Sequence, residues 1–265
     1  MSDFPLMRGW PTPGAAGDFL AVLKAHGYEL APRFAALSAH APPVTEATTV
    51  LALKFRDGVL VAGDRRATAG HMVMYERAEK LINVDTHSIL AVAGVPAVAF
   101  EMARVLEHSL QYYRRSQLQE MSTAGKVRSL SKLLKENLPL TLQGVGTVVP
   151  IFATYDEEGG KVFFYDALGA QFESGDFAAS GSGSLAVRSV LHYVNQWGNK
   201  PLARHAEDEA TVVALRALDT AAASDTATGG HNPRANVFPT VRVITREGIH
   251  EVSDTELAKL YRSEV

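Results

Sequence analysis

The chain has 265 residues and a mass of 28.5 kDa, enough for one large domain with a sizeable core. Its 46% hydrophobic and 21% charged residues match the globular average and exclude a disordered or fibrous chain. The 26 Lys and Arg against 29 Asp and Glu give a net charge of −3 with no cysteine, which argues against nucleic acid as partner and excludes disulfides, thiolate nucleophiles and cysteine-based metal sites.

Six of the twelve prolines fall within residues 1–47, and strand-like sequence begins abruptly at Thr48 after Pro42-Pro43-Val44-Thr45-Glu46-Ala47, which marks a boundary. Within this leader Asp18 is placed to cap a short amphipathic turn that carries Phe19, Leu20 and Leu23 and ends at Gly27. Met1 to Ala15 is broken by Pro5, Pro11 and Pro13 and lacks the basic-then-apolar pattern of a secretory signal, so a cytoplasmic address is expected.

From Thr48 onward short β-rich runs take over. Thr49–Phe55 and Val59–Gly63, joined by Arg56-Asp57-Gly58, read as a hairpin, and runs at Leu81–Val84 and Ile89–Ala93 follow. The longest apolar run, Ile89 to Phe100, contains Gly94 and Pro96 and is well short of the roughly 20 residues of a membrane span, so no membrane association is expected. Val98, Met102, Val105, Leu106, Leu110 and Tyr113 then form the stripe of an amphipathic helix, and Val127, Leu130, Leu134 and Leu138 form a second. Strands are predicted at Thr147–Tyr155, Lys161–Asp166 and Phe177–Ala179, helices at Leu185–Trp197 and Ala206–Ala223, strands near Thr240–Thr245 and Ile249–Val252, and a short helical tail. Strands, two helices, strands, two helices, strands is not the alternation of a doubly wound parallel sheet. Two sheets between helical layers satisfy it.

Several motifs have ordinary readings. Gly181-Ser182-Gly183-Ser184-Leu185-Ala186 sits where a dinucleotide-binding turn would, but no second parallel strand follows the helix, and a serine-capped turn explains it. Position 180 is Ser where a G-x-S-x-G nucleophile elbow needs Gly. The nine histidines are scattered with no metal-ligand spacing, so neither a metal nor a cofactor is expected. Tyr112-Tyr113-Arg114-Arg115 complements a helix C-terminus. Asp64-Arg65-Arg66 and Lys80, taken singly, are as readily charged turns as functional groups.

Taken together the set is specific: Thr48-Thr49-Val50-Leu51-Ala52-Leu53-Lys54, Ala62-Gly63-Asp64-Arg65-Arg66-Ala67-Thr68, Lys80, Ala93-Gly94, Gly181-Ser182-Gly183-Ser184 and Asp225-Thr226-Ala227-Thr228-Gly229-Gly230. In these residues and their order the chain resembles the catalytic β-subunit of the 20S proteasome, in its bacterial, actinobacterial-like branch, from Thr48 to the end. The resemblance implies an α+β fold of the N-terminal-nucleophile hydrolase type, a four-layer αββα sandwich of two antiparallel sheets between helical layers. It implies that residues 1–47 are a propeptide removed autocatalytically and that 48–265 are the threonine peptidase domain.

Residue by residue, it implies Thr48 as nucleophile. A threonine hydroxyl is weak, but a freed α-amine with an ordinary pKa of about 7.7–8.0 supplies a base on the same residue. Lys80 would place a positive charge beside Thr48, with Asp64 pairing and holding it. The Gly94 N–H would be the oxyanion donor. Ser182 and Asp225 would hydrogen-bond around the nucleophile, with Thr228 in support. Thr68 and Pro96 would bind the substrate main chain as an added strand, Pro96 through its carbonyl only. Ala67, Ala78, Ile82, Val92 and Phe100 would surround the pocket for the residue before the cleaved bond, which, being uncharged, favours hydrophobic side chains.

The resemblance further implies a homo-heptameric β-ring, α-subunit rings, an ATPase unfoldase and unfolded protein substrates. One departure stands at the processing site, where Ala47 replaces the usual glycine before Thr48. If that turn needs a left-handed backbone, the β-carbon costs about 1–2 kcal/mol. An unprocessed, catalytically silent structural β-subunit is therefore the alternative, and a small-molecule amidase of the same class a third reading.

Overall fold

The computed structural model describes residues 45–47, 49–69 and 72–265. The leader turn at 18–27 and the nucleophile candidate Thr48 lie outside the described residues.

Three antiparallel sheets organise the described residues. The first has the order β11 (Phe177–Gly181), β2 (Thr49–Phe55), β3 (Gly58–Gly63), β12 (Thr240–Thr245), β13 (Gly248–Glu251). The second runs β10 (Gln171–Ser174), β9 (Gly159–Tyr165), β8 (Ile151–Asp156), β7 (Ser88–Ala91), β6 (Leu81–Asp85). A small third sheet joins β1 (Thr45–Ala47), β4 (Ala67–Ala69) and β5 (Met72–Tyr75).

Side-chain alternation explains how the two large sheets stack, because successive residues of a strand face opposite sides. In β2, Leu51, Leu53 and Phe55 pack with α4 (Ser184–Trp197), α5 (Glu207–Ser224) and α6 (Asp254–Ser263), on the outer side of the first sheet. Val50 and Ala52 point the other way and share a layer with Val59, Val61, Ile89, Ala91, Ile151 and Ala153, drawn from both sheets. On the far side, Leu90 and Phe152 meet Met102, Leu106, Leu130 and Leu134 of α1 (Pro96–Gln117) and α2 (Thr123–Glu136). Three apolar layers therefore separate four structural layers, helices, sheet, sheet and helices, each fully buried Leu or Phe contributing about 1.5–3 kcal/mol. Strands buried on both faces explain why β2 and β3 read as nearly continuous apolar runs.

The structure corrects several predicted bounds. The strand expected from Thr147 begins at Ile151, because Pro150 has no N–H for a ladder and residue 148 makes only an isolated bridge to Gly94. The second helix ends at Asn137, whose N–H returns to the Leu133 carbonyl at 3.1 Å. Pro139 then opens a separate short turn, α3 (Leu138–Leu142), so Leu138 does not continue the stripe. On α1 the buried face is Ala99, Met102, Ala103, Leu106 and Leu110, while Val105 is exposed. Strands β1, β4, β5 and β10 were not expected; all are three or four residues long, and β5 is exposed throughout, so it shows no alternation. No helix among the described residues is long and apolar enough to cross a membrane.

Candidate active site

The site forms where four chain segments converge at one end of the first sheet. The β2–β3 hairpin brings Thr49, the first residue of β2, beside Asp64, the residue after β3. The Asp64 N–H donates to the Thr49 carbonyl at 3.1 Å, and the Thr49 N–H donates to Asp64 Oδ1 at 2.9 Å. The same Oδ1 lies 2.5 Å from Lys80 Nζ. Oδ2 accepts the Arg66 N–H at 2.9 Å and the Gly229 N–H at 2.8 Å. Four donors thus saturate a carboxylate whose side chain is 0% exposed, against 1% for Lys80. Paired and hydrogen-bonded on every side, a buried charge pair is tolerated here.

Lys80 precedes β6, and its carbonyl accepts the Val92 N–H at 2.9 Å. Burial pushes the Lys80 ammonium below its ordinary value, with the Asp64 contact pulling the other way. A lysine held so gives up its proton more readily than a solvated one.

Gly94 follows β7 with φ of 110°. Here only glycine fits, since a β-carbon would stand 2.1 Å from the Thr147 carbonyl oxygen. Around it the Val95 N–H donates to Thr147 and the Val149 N–H to Ala93, both at 2.9 Å. That makes Gly94 and Val148 a non-hydrogen-bonded pair, so the N–H and C=O of Gly94 face away from the 147–149 segment.

Ser182, at the turn into α4, donates to Asp225 Oδ2 at 2.5 Å, and Thr228 donates to the same oxygen at 2.5 Å. The Ala227 N–H donates to Oδ1 at 3.1 Å. Burial alone would raise the Asp225 pKa, but these hydrogen bonds and the Lys80 charge together hold it below its ordinary value.

The remaining sequence-predicted residues fall in two groups. Ala67 and Thr68 are buried on β4, where Ala47 pairs with Ala67 and Glu46 with Thr68. The residues just before Thr48 thus lie along β4 as an added antiparallel strand, with Ala47 in extended backbone. The left-handed cost anticipated for Ala47 does not arise in that conformation. Val92 is buried and Ile82 half-buried in the layer facing α1; Pro96 is the first residue of α1, and Phe100, one turn on, is 41% exposed. The Ala78 N–H donates to the Arg65 carbonyl at 2.9 Å. Sequence reasoning did not single out the Gly229 and Arg66 amides on Asp64. Nothing in residue type signals them, since both act through main-chain N–H groups.

Comparison with known proteins points to one family. Residues 44–233 match the model of the family described as "Proteasome subunit". "Proteasome subunit beta 2" of Thermomonospora curvata is 38% identical over 228 residues, 84% of this chain and 78% of that protein. "Proteasome subunit beta" of Streptomyces griseus is 34% identical over 262 residues, 95% of this chain and 88% of its own length. The protein of the same name from Jonesia denitrificans is 38% identical over 213 residues, covering 80% and 68% respectively. With its two stacked antiparallel sheets between helices, the chain belongs to the proteasome subunit family, as a β-subunit of the actinobacterial type.

Proposed function

We propose that this β-subunit is an N-terminal threonine endopeptidase, made active by cleavage between Ala47 and Thr48. The observation that carries the reading is the buried Lys80–Asp64 pair at 2.5 Å, locked by main-chain N–H groups to Thr49, the residue next to Thr48. Such a pair would hold a cation beside the nucleophile, at the cost of burying two charges that the surrounding main-chain N–H groups offset.

In the precursor the Thr48 nitrogen is an amide and cannot serve as base. Lys80, whose burial favours loss of its own proton, accepts the Thr48 hydroxyl proton in its neutral amine form as the oxygen attacks the Ala47 carbonyl. The Gly94 N–H stabilises the oxyanion, the C–N bond breaks with its proton returned to nitrogen, and water releases the leader. Once freed, the α-amine of Thr48 assists the same sequence on substrate: attack, acyl-enzyme formation, departure of the amine product and hydrolysis. Substrate lies along β4 in the manner of β1, paired through the main chain of Thr68. Ala67, Ala78, Ile82, Val92 and Phe100 bring no charge to the pocket, so cleavage follows hydrophobic residues.

The full assembly in this reading is a seven-membered β-ring with α-subunit rings, fed unfolded protein by an ATPase in the cytoplasm. Intact mass of the purified chain, alone and with its α-subunit, together with turnover of fluorogenic peptides, tests it. Loss of residues 1–47 with peptide cleavage supports the peptidase. A full-length mass and no turnover in assembled particles would establish the silent structural subunit instead.

A further inference from the structure

Thr49 has a second set of contacts that the Asp64–Lys80 pair does not use. Its side-chain oxygen accepts the Gly183 N–H at 3.1 Å and lies 2.6 Å from Thr228 Oγ1. Thr49 and Thr228 are both 0% exposed, so no water competes for either hydroxyl. The direction of the chain follows from donor counting. An ionised Asp225 can only accept, so Thr228, which reaches its Oδ2 at 2.5 Å, spends its single proton there. Thr228 must then accept from Thr49, whose single proton points to it, and Thr49 accepts from Gly183.

The result is a one-way relay of hydrogen bonds from the Gly183 N–H through Thr49 and Thr228 to Asp225. Gly183 is fitted to it, because a β-carbon there would stand 2.6 Å from Thr49 Oγ1 and 2.7 Å from Thr228 Oγ1. Residue 49 is consequently held on both sides: its main chain by Asp64, its side chain by the turn into α4 and the loop after α5.

We propose that Thr49 is a positioning residue, whose buried hydroxyl couples Asp225 and the Gly183 turn to the start of β2 and so fixes the orientation of the adjoining Thr48. This rests on the peptidase reading above. It adds that the second threonine of the Thr48-Thr49 pair serves the reaction through its hydroxyl and not only as a strand residue.

The test is steady-state cleavage of a fluorogenic peptide amide with tyrosine before the scissile bond, by the full chain assembled with its α-subunit. Wild type, Thr49→Val and Thr49→Ser are compared at equal particle mass. With Val leaving the Gly183 N–H without an acceptor and Thr228 Oγ1 without its donor, kcat is expected to fall at least about tenfold with KM within about twofold. Ser, which restores the hydroxyl, is expected to stay within about threefold of wild type. Wild-type kcat in Thr49→Val, or an equal fall in Thr49→Ser, would overturn the proposal. Should Thr49→Val fail to assemble, Thr228→Val cuts the same relay one hydroxyl further on and carries the same expectation and the same overturning result. An inactive wild type would overturn the peptidase reading and this inference with it, whereas an active wild type with an unaffected Thr49→Val overturns this inference alone.

Discussion

Two buried aspartate–lysine pairs serve different ends in this molecule. Asp64 and Lys80, 0% and 1% exposed, meet at 2.5 Å, and Asp64 is further bound by N–H groups of Thr49, Arg66 and Gly229. Asp85 and Lys126, 13% and 8% exposed, meet at 2.8 Å through Asp85 Oδ2, and Asp85 Oδ1 accepts one main-chain N–H, that of the nearby His87, at 2.8 Å. Lys126 also reaches Ser88 Oγ at 3.2 Å, which in turn meets Thr154 at 2.9 Å. The second pair pins α2 to the ends of β6, β7 and β8, three elements already joined by the core. The first gathers main-chain groups from segments far apart in sequence, around Thr49, which adjoins the proposed nucleophile Thr48. The same ionic chemistry therefore acts as a clasp in one place and, in the proposed peptidase, as a frame for a reacting group in the other, and the partners of the carboxylate decide which.

The largest expected effect tests the first pair. Lys80→Ala should reduce peptide turnover by at least about 10³-fold and block loss of residues 1–47, read by fluorogenic assay and intact mass. Next, Lys126→Met should lower stability by about 2–3 kcal/mol through an unpaired Asp85, with turnover per assembled particle unchanged. Thermal unfolding and the same peptide assay check it, and a loss of turnover comparable to Lys80→Ala would break the contrast between the pairs. Gly183→Ala, which drives a methyl into two buried hydroxyls, should cost about 1–2 kcal/mol and slow turnover at normal assembly.

The smallest effect concerns acid. Asp225 is held below its ordinary 3.8, so its contribution to stability is complete above that value and is lost as pH falls through the lower folded-state pKa. Asp225→Asn should therefore show a shallower loss of stability than wild type below about pH 4, measured by denaturant titration at several pH values. Equal slopes would remove Asp225 from the acid response.

Much of the frame was legible because its signals are local. The Thr49–Phe55 strand was read with the bounds observed, and the stripes of α1 and α2 were visible as periodic apolar residues. Asp64 and Lys80 stood out only as members of an ordered motif set, since a charged residue after a strand is ordinary by itself. Thr49 and Thr228 carried no local sign of burial, and β1, β4 and β5 are too short for periodicity to show.

The sequence by itself determined the class of elements, their order and the residue types available for chemistry, because these depend on propensity and period within a short window. Only the tertiary structure decided that Gly229, 165 residues from Asp64, donates to its carboxylate, and that Thr49 meets Thr228 across 179 residues. It also decided that β1 lies along β4. Those contacts depend on where the sheets and loops come to rest, and main-chain N–H groups, which every residue but proline carries, leave no mark of their use in the sequence.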